Sequence, residues 1–338
     1  MRSIAPLLIL MVILLAFPTV AAHVPNFPED NDSIERALHI DEPAKSIVVY
    51  GQVHHGTGQY FEMEMVQGER IKLGLIIPVN SDEEYLPGLI LMGPGIEQGG
   101  ELPEFIEKPE GYGHIVLREP LPEEGEYEGF SPSAFYELGD MDIVAPTSGD
   151  FYVAVFTLEG EGNYGLVVGY EESFTVLEFI RVPLDLIIVY QWEGQTLLEI
   201  LLPFAVTVAI AIVILLLVIS RWGMEVPVYG LLGAMGGAFF LGSSAVLIYQ
   251  MAFVLDQVPA NSQLAITLLF ILLPLLLGIT AIRMGVKAPR RPRPANRGYL
   301  VLVGALGLFF WAGYFIGPMM VMAAGLLPRS IASKIVRI

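Results

Sequence analysis

The chain has 338 residues, 54% hydrophobic and only 16% charged, with a mean hydropathy of +0.60, which is too apolar for a single soluble globular domain. Its formal net charge of −18 is unevenly spread: His23 to Leu197 holds 33 acids and 7 bases, whereas Leu198 to Ile338 holds 3 acids and 10 bases. The acidic half would repel phosphate, which argues against nucleic-acid binding, and zero cysteines exclude disulfides, thiolate metal sites and a cysteine nucleophile together.

Residues Met1 to Ala22 read as a secretory signal peptide. Arg2 supplies the positive start, Ile4 to Phe17 the apolar stretch, and Val20-Ala21-Ala22 the small-residue cleavage site. Cleavage there makes His23 the new N-terminus.

Residues 23–180 are expected to form an extracytoplasmic domain. Ser33 to Leu38 has the makings of one helical turn, with Ser33 as N-cap. From Ser46 the pattern turns to strands: Ser46–Val53, Gln59–Met65, Arg70–Ile77, Leu89–Met92, Asp150–Phe156 and Tyr164–Gly169 are short apolar or β-branched runs punctuated by Gly, Pro, Asn and Asp. An all-β antiparallel sandwich is the expected fold. A long insertion over 93–146, rich in Gly, Pro and Glu, interrupts it. Loops of that length are functional or disordered. The aromatics Phe105, Tyr112, Tyr127, Phe130, Phe135 and Tyr136 argue that much of it packs.

Ser173 to Gly194 makes a transition, read as a strand and then an approach helix, so that 181–196 forms a membrane-proximal linker with Trp192 at the interface. Four hydrophobic stretches follow within 197–326: Leu197–Ser220, Val228–Leu255, Leu264–Ile282 and Tyr299–Ala324. Each has the ~20 residues needed to cross a bilayer, so an α-helical membrane bundle of four transmembrane helices is expected. Arg283 to Arg297 holds six bases and no acids, which places it on the cytoplasmic side and the N-terminal domain outside. Residues 327–338 form a short basic tail whose side this topology makes extracytoplasmic. The implied location is the cell membrane, multi-pass, with the lipid bilayer as one partner.

Several patterns bear on chemistry. Gly160-Glu-Gly162-Asn-Tyr-Gly165 spells GxGxxG, but it lies between two strands and puts a glutamate where pyrophosphate would approach, so a hairpin turn is expected. HExxH, GxSxG and P-loop patterns are absent from the sequence. His23, with a free α-amine after cleavage, and His54 or His55 would supply nitrogen ligands suited to copper. In an extended strand His54 and His55 point to opposite faces, so at most one joins His23. The acid clusters Glu29-Asp30-Asn31-Asp32, Asp82-Glu83-Glu84 and Glu123-Glu124-Gly125-Glu126 offer oxygen ligands for calcium, without EF-hand spacing. Asn31-Asp32-Ser33 is a glycosylation sequon. In EYEGFSPSAFYEL, the aromatics Tyr127, Phe130, Phe135 and Tyr136 are candidates either for partner binding or for core packing. Ionisable residues are missing from the centre of every apolar stretch, which weighs against ion transport. Gly233-xxx-Gly237 and Gly313-xxx-Gly317 permit close helix approach.

Two segments are similar to the pre-peptidase C-terminal (PPC-like) domain, an extracellular β-sandwich. Gly51-Gln-Val53 with Gln59 to Leu75 resembles that family's opening strand pair. Pro146 to Val155 with Gly162 to Val168 resembles its closing pair. The match covers about a third of the exported half and none of the membrane half, and the 93–146 insertion departs from it. The resemblance implies a sandwich that binds or displays something, and it transfers no catalytic residue. Together these features lead to the expectation of a non-enzymatic, membrane-anchored sandwich protein that binds a ligand or an envelope protein partner. The alternative is a copper-binding protein or oxidase using His23 with His54 or His55.

Overall fold

The computed structural model describes residues 24–26 and 31–336, with backbone only at 24–26. The signal segment, His23 and the acids Glu29 and Asp30 lie outside the described residues. The chain clusters into two compact units. The first takes in residues up to Ile77, Asp82–Leu121 and Glu137–Phe179; the second takes in Pro78–Ser81, Pro122–Tyr136 and Ile180–Ile338.

The first unit is built from strands β1 (Val24–Asn26), β2 (Leu38–His39), β3 (Ile47–Val53), β4 (Gly58–Met65), β5 (Arg70–Pro78), β6 (Gly88–Gly93) and β7 (Gly113–Leu117). The chain continues with β8 (Glu126–Glu128), β9 (Ser133–Val144), β10 (Gly149–Phe156) and β11 (Gly162–Val168). One sheet has the order β1-β3-β11-β5-β9-β8 and the other the order β2-β4-β10-β6-β7. Alternation produces the core: Phe61, Met63 and Met65 on β4, Phe151, Val153 and Val155 on β10, and Val49, Leu73, Leu75, Tyr164 and Leu166 from the other sheet are all buried.

The expected purely antiparallel pairing is corrected at both N-terminal strands. β1 runs parallel to β3 and β2 parallel to β4, so both sheets are mixed. Parallel pairs need long crossovers, and the chain between β1 and β3 and between β2 and β4 is long enough to provide them.

The 93–146 insertion carries three strands that the sequence reading left out, β7, β8 and the 12-residue β9. Glu137, Gly139, Asp140 and Asp142 break the apolar run along β9, yet Leu138 and Met141 are buried. Residues before β7 cover the outer face of the five-stranded sheet. Ile106 packs with Tyr60, Ile90, Met92, Ala154 and Phe156, and Phe105 and Tyr112 sit 6.4 Å and 6.2 Å from the rings of Phe156 and Tyr152. The GxGxxG turn joins strands of opposite sheets and is therefore not a hairpin. Gly160 takes a left-handed φ of +69°, whereas a Cβ at Gly162 would sit 2.7 Å from the Tyr85 ring and one at Gly165 2.6 Å from Ile76.

Helices dominate the second unit: α1 (Val176–Trp192), α2 (Leu197–Arg221), α3 (Val228–Leu255), α4 (Leu264–Val286), α5 (Pro294–Phe309), α6 (Ile316–Leu326) and α7 (Arg329–Ala332). A short pair, β12 (Val226–Pro227) and β13 (Ile335–Val336), closes it. The expected strand before the approach helix is replaced by one helix, α1. Its start is a capping box: the Thr175 N–H donates to Glu178 Oε2 at 2.7 Å and the Glu178 N–H to Thr175 Oγ1 at 3.2 Å. Thr196 and Glu199 repeat that device at α2.

Among the described residues three helices, α2, α3 and α4, are long and apolar enough to cross a membrane. The expected fourth span is not one continuous helix: Tyr299–Ala324 is broken at 310–315 into α5 and α6, with positive φ at Trp311, Gly313, Tyr314 and Phe315. Non-glycine residues rarely adopt that conformation, and a run of them ends a helix. The small-residue stripes meet backbone. A Cβ on Gly237 would lie 2.7 Å from the Gly278 carbonyl oxygen, one on Gly285 2.2 Å from that of Gly230, and one on Gly236 2.8 Å from that of Gly317. α3 is thus approached closely by α4 on one side and by α6 on another.

Candidate ligand site in the helical unit

The hairpin tip between β8 and β9 belongs to the second unit together with the helices. Tyr127 is buried there, at 1% exposed. The Thr267 hydroxyl donates to the Gly129 carbonyl at 2.6 Å, and having spent its proton it accepts from the Tyr127 hydroxyl at 2.8 Å. Asn261 Nδ2 donates to the Tyr127 carbonyl at 2.9 Å, and the Gly129 N–H donates to Gln263 Oε1 at 3.0 Å. Three residues later, at the turn, Phe130 meets Phe270 and Trp311 edge to face, with centroids 5.3 Å and 5.4 Å away, while Phe270 and Trp311 stack at 5.9 Å. Such aromatic pairs are worth about 0.5–1.5 kcal/mol each beyond area burial.

These rings form part of an apolar slot. Its other walls are Pro183, Leu186 and Tyr190 of α1, Ser243, Val246 and Leu247 of α3, Pro274 of α4, and Phe310 and Tyr314 of the 310–315 break, around an open cavity of about 50 Å³. The break positions Phe310, Trp311 and Tyr314, and it is held in place by the Gly313 N–H donating to Ser243 Oγ at 3.0 Å. One polar atom in the slot has no partner within the protein. The Tyr190 hydroxyl is fully buried and makes no hydrogen bond, with Tyr190 2% exposed.

Just past α1 sits a second buried, half-used group. Glu193 is 4% exposed; its Oε1 accepts the Ala134 N–H at 2.9 Å, while Oε2 is buried without a partner. Burial pushes its carboxyl up to about 8, and the Ala134 bond offsets only part of that. Glu128, half-buried at the hairpin tip, is pushed up to about 7 by the same cause despite accepting the Phe130 N–H at 2.8 Å. Nearby, Gln195 and Gln250 exchange two amide hydrogen bonds of 2.8 Å, which satisfies both buried side chains.

Of the four aromatics singled out in the sequence, Tyr127 and Phe130 are thus brought together within the helical unit. Phe135 and Tyr136 are half-buried further along β9. Tyr190, Glu193, Trp311 and Tyr314 were missed. No local signal marks Glu193, which shares the approach to the first span with Glu178 and Asp185.

The histidine set is not brought together among the described residues. His54 and His55 are exposed after β3, His54 Nδ1 lies 2.9 Å from Glu161 Oε2, and His23 is outside the described residues. No group of three or more metal-ligating side chains occurs among the described residues, whether for copper or for calcium. Asn31 of the sequon is buried, with its amide donating to the Tyr60 carbonyl at 3.0 Å.

No family model and no curated protein matches this chain. Among solved structures, two periplasmic lysozyme inhibitors of g-type lysozyme, both called PliG, are similar to part of it. The one from Aeromonas hydrophila has 11% identity and a TM-score of 0.24, and the one from Salmonella Typhimurium 16% identity and a TM-score of 0.22; each match covers 44% of this chain and 100% of the other.

Proposed function

We propose that this is a non-enzymatic membrane protein whose β-sandwich unit is extracytoplasmic and whose helical unit binds an amphiphilic ligand in the aromatic slot. The observation that carries this reading is the slot itself: an apolar space lined by Phe130, Phe270, Trp311 and Tyr314, with one buried hydroxyl, on Tyr190, left for a ligand to satisfy. A native structure rarely leaves a buried hydroxyl without any hydrogen bond, because doing so costs about 1–3 kcal/mol. A small ligand is favoured over an envelope protein as the occupant here, since Tyr127 is wholly covered by its own unit. The outward placement of the sandwich is supported by the basic Arg283–Arg297 segment and by the acidic surface of the first unit. The resemblance to the PPC-like domain supports a module that binds or displays rather than one that catalyses.

The test is co-purification. Full-length protein extracted in a mild neutral detergent and examined by native mass spectrometry is expected to retain an apolar small molecule, and the double variant Phe130→Ala/Trp311→Ala is expected to lose it. If wild-type protein retains nothing and takes up no added amphiphile, the reading fails.

A further inference from the structure

Apart from Ser243 the slot is lined by apolar and aromatic residues, and its lining contains no Lys, Arg or His among the described residues. The protein leaves two buried oxygen atoms unpartnered in this region: the hydroxyl of Tyr190, a lining residue of the slot, and Oε2 of Glu193, three residues further along the chain. Their placement on consecutive turns follows from the local chain. Tyr190 belongs to the last turn of α1, and the Glu193 N–H still donates to the Val189 carbonyl at 3.0 Å, so the helical path continues to the carboxylate. Glu193 also lies close enough to act electrostatically on the Tyr190 phenol, as do Tyr314 and Tyr127, and these are the ionisable groups that face it.

Among the described residues no arginine, lysine or histidine is paired with the Glu193 carboxyl group, whose one hydrogen bond comes from a backbone amide. A buried carboxylate without a counter-ion either stays protonated or takes a cation from outside. Tyr190, Tyr314, Trp311 and Phe130 line the slot, and aromatic ring faces favour a cation.

The geometry points to an organic ammonium on an apolar chain as the ligand, with its chain in the aromatic slot and its charged head on Glu193 Oε2 and the Tyr190 hydroxyl. This rests on the reading above and adds the chemistry of the head group. Binding then exchanges one proton for one cation: the ammonium keeps its hydrogens, the Glu193 carboxyl releases its proton to solvent, and the site ends neutral. The Tyr190 hydroxyl remains protonated and accepts an N–H from the head group.

The experiment uses full-length protein in a neutral maltoside detergent, with n-decylammonium and n-decanol as probes of equal chain length, and isothermal titration calorimetry as the readout. Above the Glu193 titration, at about pH 9, wild type is expected to bind the ammonium about tenfold or more tighter than the alcohol. Glu193→Gln, which keeps an oxygen for the Ala134 N–H, is expected to erase that preference while binding decanol as before. Near pH 7, ammonium binding to wild type is expected to show an enthalpy that changes with the buffer's ionisation heat, reporting proton release, whereas decanol binding is not. That second measurement needs no variant. Equal affinity for the two probes in wild type, a preference that survives in Glu193→Gln, or ammonium binding without proton release overturns the cationic head group and leaves the amphiphile reading standing. Failure of wild type to bind either probe overturns both.

Discussion

The Tyr127 hydroxyl donates to Thr267 Oγ1 at 2.8 Å, joining the hairpin between β8 and β9 to the first turn of α4 across 140 residues of sequence. Because the Thr267 hydroxyl also donates to the Gly129 carbonyl at 2.6 Å, one side chain serves two otherwise orphaned buried groups. Thr267→Val keeps the shape and strands both. It is expected to cost about 1–3 kcal/mol, more than Tyr127→Phe at about 1 kcal/mol, because the latter removes a partner and its need together. Thermal unfolding of the two variants in detergent checks the order, and equal or reversed losses would refute it.

The stability of the helical unit should fall as pH rises. The ordinary value for Glu193 is 4.5, and burial raises it to about 8 in the folded protein. Its contribution is therefore fully present below about 4.5 and is lost progressively up to about 8, since only the unfolded chain gains by ionising in that window. The slope cannot exceed roughly 1.4 kcal/mol per pH unit for one group. Glu128, raised to about 7, adds the same sign over a narrower range. Glu193→Gln should flatten the melting-temperature profile between pH 5 and 8 relative to wild type, and parallel profiles would show that Glu193 ionises freely.

Helix contact at the glycine seam should be intolerant of even one methyl group. A Cβ on Gly237 would stand 2.7 Å from a backbone carbonyl, which cannot rotate away as a side chain does. Gly237→Ala is expected to cost about 1–3 kcal/mol, and Gly237→Val more. Gly298→Ala provides the control, because a Cβ there meets nothing within 4 Å. Comparable losses for Gly237→Ala and Gly298→Ala, measured by unfolding in detergent, would contradict the seam.

Sidedness follows from the proposed topology. Protease added to intact cells is expected to cut within the β-rich segments and to spare Arg283–Arg297. Detergent permeabilisation should then expose that basic segment. Cleavage there before permeabilisation would reverse the orientation.

Much of the architecture is legible in local sequence. Alternation along Gln59–Met65 and Asp150–Phe156 reports strands with one face inward, because successive side chains leave a strand on opposite sides. Thr196 and Glu199 announce a helix start three residues apart, and Thr175 and Glu178 do the same for α1. Length and apolarity alone mark α2, α3 and α4 as membrane-length helices. Tertiary structure decided the rest, since it depends on partners far away in the chain. Nothing within EYEGFSPSAFYEL says that Tyr127 is buried by Thr267 and Phe130 stacked against Phe270 and Trp311. The composition of Tyr299–Ala324 satisfies a continuous span, and the break at 310–315 becomes visible only with the Gly313 N–H on Ser243 and the neighbouring aromatic rings packed about it. Glu193 reads as one more acid in an acidic half. Its character comes from what surrounds it: burial removes water, the fold supplies one N–H and no cation, and the cost of charge in that space turns an ordinary carboxyl into the group most in need of a partner.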